Sequence, residues 1–191
     1  KHARGSDQMP HFDRGDICLQ KVKVEVFCGF VFYNFDLDAT PMSIQFAALG
    51  EEILAYSPHA PTLKRRYRRE YPVKANWKNT VENFDECYHC PNQHKILMDG
   101  GLDIETYRIT VSKNHHTHYS RDRGTNQAYT HNPDVDGRGQ EFGGWLLWPN
   151  LSLEVYPGGY LNVFYHHPLD VEETVQVVEW YFDTETVTPE Q

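Results

Sequence analysis

From Lys21 to Phe35 the sequence KVKVEVFCGFVFYNF alternates polar and apolar residues and then runs apolar, with Gly29 between its halves. This predicts two strands, or one long bulged strand. Residues 1–16 before it are polar, with Gly5, Pro10 and Gly15 as breakers. After a linker from Asp36 to Pro41, Ile44, Ala47, Ala48 and Ile53 recur at roughly helical spacing. A helix is therefore expected from Met42, with Thr40 as its N-cap and Pro41 at its first position, stopped by Pro58 and Pro61. Lys64 to Val73 alternates in strand fashion. Asn76 caps the next predicted helix, and Glu82, Glu86 and His89 follow at spacings of four and three, which puts them on one helical face. Pro91 cannot continue a helix, so the chain is expected to turn there and bring His94 back towards His89. Beyond Gly100 and Gly101 a period of two takes over, predicting strands over 104–112, 115–120, 142–148, 151–156, 160–166 and 174–183. Pro157-Gly158-Gly159 reads as a tight hairpin turn and residues 132–139 as a loop. The sum is an α+β fold: a largely antiparallel β-sheet with covering helices on one side.

Composition narrows the classes of function. At 191 residues, with 39% hydrophobic and 14% aromatic content, the chain holds one good-sized globular domain, or one domain and part of another. A net charge of −9 argues against a nucleic-acid partner, which needs a basic footprint. The one basic run, Lys64-Arg65-Arg66 with Arg68 and Arg69, alternates with Tyr67 and reads as a solvated strand face or a patch that meets another protein. No apolar run approaches the roughly 20 residues of a membrane span, and no signal-peptide pattern is visible. Cys18, Cys28, Cys87 and Cys90 are expected to be reduced, in a bacterial cytoplasm, because a domain of this size does not need disulfides. The chain opens on KHARGSDQ without Met and closes on TPEQ, which reads as a fragment.

The chemistry concentrates between Asn76 and His94, in NWKNTVENFDECYHCPNQH. Two neutral imidazoles, a carboxylate and open positions make the site of non-haem iron oxygenases. Spacing alone leaves alternatives: one histidine capping the helix and the other on the surface, or a zinc half-site that recruits Cys87 and Cys90. Cys87-Tyr88-His89 matches one half of a Rieske cluster motif, but no Cys-x-x-His follows it. His116 and His118 share a strand face and read as a packed or solvated face; His166 and His167 point to opposite faces and are assigned nothing.

The stretch resembles the iron-site signature of Rieske non-haem iron oxygenase α subunits: NWK, then EN, then an acidic residue, then YH and a second His. Upstream, GFVFYNFD resembles the last strands of that family's Rieske domain. The resemblance implies a C-terminal remnant of a Rieske [2Fe-2S] domain over 1–38, followed over 39–191 by a catalytic domain of helix-grip fold that is incomplete at its C-terminus. It implies that His89 and His94 bind a mononuclear Fe(II), with a third carboxylate ligand and the cluster's ligands outside these residues. It makes Glu86 the carboxylate that orients His89 and bridges to the cluster of a neighbouring subunit. The Glu-Cys-Tyr-His-Cys run looks most like the branch acting on quaternary ammonium compounds, with stachydrine (proline betaine) N-demethylation as the nearest single match. Carnitine or glycine betaine monooxygenation and aromatic-ring dioxygenation are the enzyme alternatives; a metal-free helix-grip ligand-binding module is the other. The partners implied are O2, an NAD(P)H-linked reductase and a homotrimeric assembly. Trp148, Asn150, Tyr160 and Phe164 are the candidate substrate contacts, since a quaternary ammonium is recognised by aromatic faces.

Overall fold

The computed structural model describes residues 4, 5, 8–11, 13, 15, 18–124 and 140–182. The first strands are a hairpin, β1 (Lys23–Phe27) and β2 (Phe30–Asn34), paired antiparallel. Cys28 and Gly29 form its turn, both at positive φ, as a two-residue hairpin loop with the right twist requires. The predicted helix arrives in two pieces, α1 (Met42–Gln45) and α2 (Ala47–Tyr56), broken at Phe46. Thr40 does not cap it. The N-terminal position is taken by Pro41, and the exposed Met42 and Ser43 N–H groups donate instead to the Glu25 carboxylate at 3.0 and 2.6 Å. A long-range carboxylate satisfies those donors as well as a local cap does, and favours the positive end of the helix.

The main sheet has seven antiparallel strands: β3 (Lys64–Val73), β4 (Arg108–Val111), β5 (His115–Arg121), β6 (Glu141–Leu147), β7 (Leu151–Tyr156), β8 (Tyr160–Asp170) and β9 (Glu173–Phe182). Their spatial order is β3-β9-β8-β7-β6-β5-β4. Residues 104–106, expected as strand, make a short 3-10 turn before β4. The predicted loop over 132–139 lies outside the described residues. The basic run is the exposed edge strand β3, where Arg65 and Arg68 reach Glu179 on β9 at 2.6 and 3.4 Å.

Strand alternation gives this sheet two different faces. On one, Trp145, Leu147, Leu153, Val155, Leu161 and Val163 pack with Leu49, Ile53 and Tyr56 of α2 and with Phe27 of the hairpin. Gly143 belongs to this face because the Trp145 indole lies across it, 2.7 Å from where a Cβ would stand. The opposite face, carrying Phe142, Ser152, Glu154, Phe164 and His166, is covered by α3 (Trp77–Phe84), α4 (Cys90–Gln93) and α5 (Lys95–Gly100). Helices thus cover both faces, not one as the sequence suggested. The sequence shows which strand positions are apolar but not which helix reaches which side.

His166, to which the sequence assigned nothing, is fully buried and ties α3 to the sheet. Thr80 donates to Trp77 O, so its oxygen accepts from His166 Nδ1–H at 2.9 Å, and Ser152 Oγ donates to Nε2 at 3.1 Å. The bond accepted at Nε2 needs a neutral ring. Burial and then the neighbouring His167 push its pKa down from 6.5 to about 4. The unfolded chain therefore binds more protons between these values, so stability is undiminished above pH 6.5 and falls as the pH drops towards 4. The loss expected between pH 7 and pH 5 is about 2 kcal/mol from this residue. Urea unfolding should show it, and His166→Gln should be less stable at pH 7 but lose less on acidification.

Candidate metal centre

Asn76 opens α3 as predicted: its side chain accepts from Lys78 N–H at 3.1 Å and donates to Val171 O at 2.7 Å, tying the helix start to the β8–β9 turn. The helix ends earlier than predicted, at Phe84, with Asp85 as its C-cap. Glu82, Glu86 and His89 consequently do not share a helical face. Glu82 is exposed on α3, whereas Glu86 and His89 lie in the irregular turn beyond it. The early stop has a partner. Asp85 accepts from His116 Nδ1 and, at 3.1 Å, from His118 Nε2, both on β5; Tyr107 O–H in turn donates to His118 Nδ1 at 2.7 Å. His116 and His118 are thus a packed strand face that anchors the end of α3.

Pro91 also acts opposite to expectation. It lies in the first turn of α4, where its missing N–H costs nothing, and so starts a helix instead of ending one. His89 precedes this single turn and His94 follows it. The effect on the two side chains is the one anticipated: His89 Nε2 and His94 Nε2 stand 3.0 Å apart. Two nitrogens each about 2.1 Å from one metal, at right angles, stand about 3.0 Å apart. The pair therefore fits a single ion.

The other edge of His89 is held by Glu86, whose carboxylate accepts from His89 Nδ1. It also takes the backbone N–H groups of Tyr88 and, at 3.3 Å, of His89 itself. Burial works against ionisation of Glu86, but the His89 ring and these N–H donors outweigh it and hold its carboxyl below the usual range. An ionised carboxylate on Nδ1 leaves the Nε2 lone pair directed at the ligand position. Desolvation, then the adjacent His89, lowers the pKa of His94, which keeps that ring neutral as a metal donor must be. Among the described residues no group of three or more His, Cys, Asp or Glu side chains is arranged to hold a metal ion.

Cys87 and Cys90 are joined in a disulfide that brackets Tyr88 and His89. This corrects the expectation of four free thiols and removes the zinc half-site, since neither sulfur remains as a thiolate. Their Cα atoms, 4.9 Å apart across one turn, suit the bond. Cys18 and Cys28 are free.

The histidine pair opens into a cavity of about 280 Å³, walled by Phe84, Tyr107, Phe142, Tyr156 and Phe164, with Asn83 and Gln176 at its polar positions. Of the four candidate substrate contacts only Phe164 lines it. Trp148 packs against Trp77 and, with Asn150, borders a separate cavity of about 470 Å³ near β1–β2; Tyr160 packs on Phe182. Trp148 and Asn150 fall in the β6–β7 connection, and Tyr160 is the first residue of β8, opposite Tyr156. Aromatic character alone does not tell which end of a strand meets the metal.

The sequence also passed over Glu154, which lines the cavity. It accepts from Tyr156 O–H at 3.0 Å and from the Asn162 side chain, and burial pushes its carboxyl up to about 7. A signal was present: in LSLEVY, period two puts Glu154 on the face opposite Leu153 and Val155, and a carboxylate in the middle of a covered strand needs a reason.

The family of ring hydroxylating alpha subunits, through its catalytic domain, matches residues 60–191. The carnitine monooxygenase oxygenase subunit of Escherichia coli (strain K12) is 35% identical over 191 residues, 100% of this chain and 50% of that protein. The glycine betaine monooxygenase oxygenase subunit of Chromohalobacter salexigens is 31% identical over 102 residues, 53% of this chain and 22% of that protein. Among solved structures, a quaternary ammonium Rieske monooxygenase in complex with L-carnitine superposes with a TM-score of 0.80 at 31% identity, over 100% of this chain and 49% of that one. The chain spans about half the length of the curated relatives that match it from end to end.

Proposed function

The chain belongs to the ring hydroxylating alpha subunit family, and from that premise we propose that it oxidises a small quaternary ammonium compound at a carbon attached to the ammonium nitrogen. The observation that carries this reading is the cavity beside His89 and His94: aromatic walls, two carboxylates, and no Lys or Arg among its described lining residues. A quaternary ammonium head finds aromatic faces and negative charge there. The relatives named for carnitine and glycine betaine support the same class.

His89 and His94 are the two protein donors to a mononuclear Fe(II) in this reading, and a third, carboxylate ligand comes from outside the described residues. When bound, the iron supplies O2 activation. The net change is C–H + O2 + 2 e⁻ + 2 H⁺ → C–OH + H2O. The electrons would be supplied from NAD(P)H by a reductase, by way of the family's Rieske [2Fe-2S] cluster. Glu86 fixes the His89 ring and, in a trimer, would face the copy whose cluster supplies the electrons. Phe84, Phe164 and Tyr156 hold the substrate head with one N–C–H directed at the histidine pair. The hydroxylated carbon is a hemiaminal, which collapses to a carbonyl compound and an amine.

The carbon attacked distinguishes two substrates. Attack on an N-methyl group, as the stachydrine reading requires, releases formaldehyde and a tertiary amine that keeps the rest of the skeleton. Attack on the chain carbon, open to a carnitine-type substrate, releases trimethylamine and an aldehyde. The relatives favour the carnitine-type compound; the sequence motif favours proline betaine. Turnover of the intact protein with carnitine, glycine betaine, proline betaine and benzoate, with formaldehyde and trimethylamine both measured, tests the reading. Product from at least one betaine and none from benzoate is expected; turnover of benzoate alone would reject it.

A further inference from the structure

Resting on the quaternary-ammonium reading, we propose that Glu154 is the counter-ion that fixes the substrate's ammonium head and so sets the specificity of the cavity for cations. Two carboxylates line this cavity, Glu86 and Glu154. Glu86 is committed to the His89 ring and the Tyr88 and His89 backbone. Glu154 is held only by neutral donors, Tyr156 O–H and the Asn162 side chain, and forms no ion pair among the described residues. Two donors leave part of the acceptor capacity of a carboxylate facing the cavity.

The sheet register puts this charge where an aromatic cage stands. Across from Glu154 on β8 is Asn162, and two residues along the same face is Phe164, which packs on Phe84 of α3 with ring centroids 5.8 Å apart. On the β6 side the partner is Gly144, where the Phe142 ring takes the space a side chain would fill, 3.4 Å from where a Cβ would stand. Phe142 and Tyr156, centroids 5.3 Å apart, close the next wall. A quaternary ammonium donates no hydrogen bond, so charge and aromatic faces are the means by which a protein recognises it. The burial that disfavours the Glu154 anion in the empty cavity is offset when a cation fills it, which makes the carboxylate selective for positive over neutral heads.

The test is binding, not turnover. Choline and 3,3-dimethylbutan-1-ol differ in a single atom, charged nitrogen against carbon. Their affinities for the intact, iron-loaded protein are measured by calorimetry without reductant. Wild type should prefer choline, and Glu154→Gln should weaken choline roughly tenfold or more while leaving the alcohol unchanged. Glu154→Asp keeps the charge and should retain part of the preference; it decides the matter if the Gln variant melts early. A Gln variant that folds and still prefers choline as wild type does would overturn the assignment of Glu154. A wild type that shows no preference for choline would overturn the quaternary-ammonium reading itself.

Discussion

Replacing His89 with Ala lowers mononuclear iron to about one-tenth of the wild-type level or less, and turnover falls to background with it. The reason is the number of donors. A two-His-one-carboxylate site has three protein ligands, and one imidazole with one carboxylate does not hold Fe(II) against water and buffer. His94→Ala should do the same, because the two Nε2 atoms 3.0 Å apart act as one chelating unit. Neither ring is part of the apolar core, so both variants should fold with nearly wild-type melting temperatures. Iron analysis beside a thermal melt separates loss of metal from loss of structure. Iron retained in both variants would place the metal elsewhere.

Glu86→Gln gives the complementary result: iron is largely retained while turnover falls by about 100-fold or more. The amide oxygen of Gln still accepts from His89 Nδ1, so the ring keeps its direction. What is lost is the negative charge that His89 and the backbone N–H of Tyr88 stabilise in the protein. If that carboxylate links two copies of the chain, its loss slows electron arrival at the metal without emptying the site. Rapid mixing of the reduced variant with substrate and O2 measures this as slowed cluster reoxidation. Normal reoxidation at normal iron content would remove the bridging role and leave Glu86 with orientation only.

Much of this site was legible because its signals are local. Asn76 as a cap, the alternation along β6 to β9, and two histidines astride a proline are short-range features, and each predicts geometry within about one turn of chain. Where a distant partner decides, the sequence misled. Asp85 ends α3 because His116 and His118 hold it from another strand, and this moves Glu86 and His89 off the helix. Glu25 replaces Thr40 as the cap of α1 because the hairpin brings it there. Trp148 and Tyr160 have suitable rings, yet they pack on Trp77 and Phe182 and do not line the cavity at the histidine pair. Glu154 and His166 were readable as polar residues on the second face of a covered sheet, but only once α3 was known to cover that face.

The arrangement also shows a division of labour between the sheet's faces. The face under α2 carries the continuous apolar core and gives rigidity. The face under α3, α4 and α5 carries buried polar groups bonded to one another: His166 with Thr80 and Ser152, His118 with Asp85 and Tyr107. Such partnered polar groups fix the position of α3 more sharply than apolar contacts alone, because any shift leaves donors unsatisfied. The histidine pair, one short turn beyond α3, inherits that placement.

An iron-edge anomalous difference map of crystals of the intact protein soaked with carnitine tests the whole account at once. A peak within reach of both His89 Nε2 and His94 Nε2 is expected, with the trimethylammonium group in the adjoining cavity against Phe84, Phe164 and Glu154. No peak at the histidine pair, or a quaternary ammonium bound elsewhere, such as in the cavity beside Trp148, would contradict it.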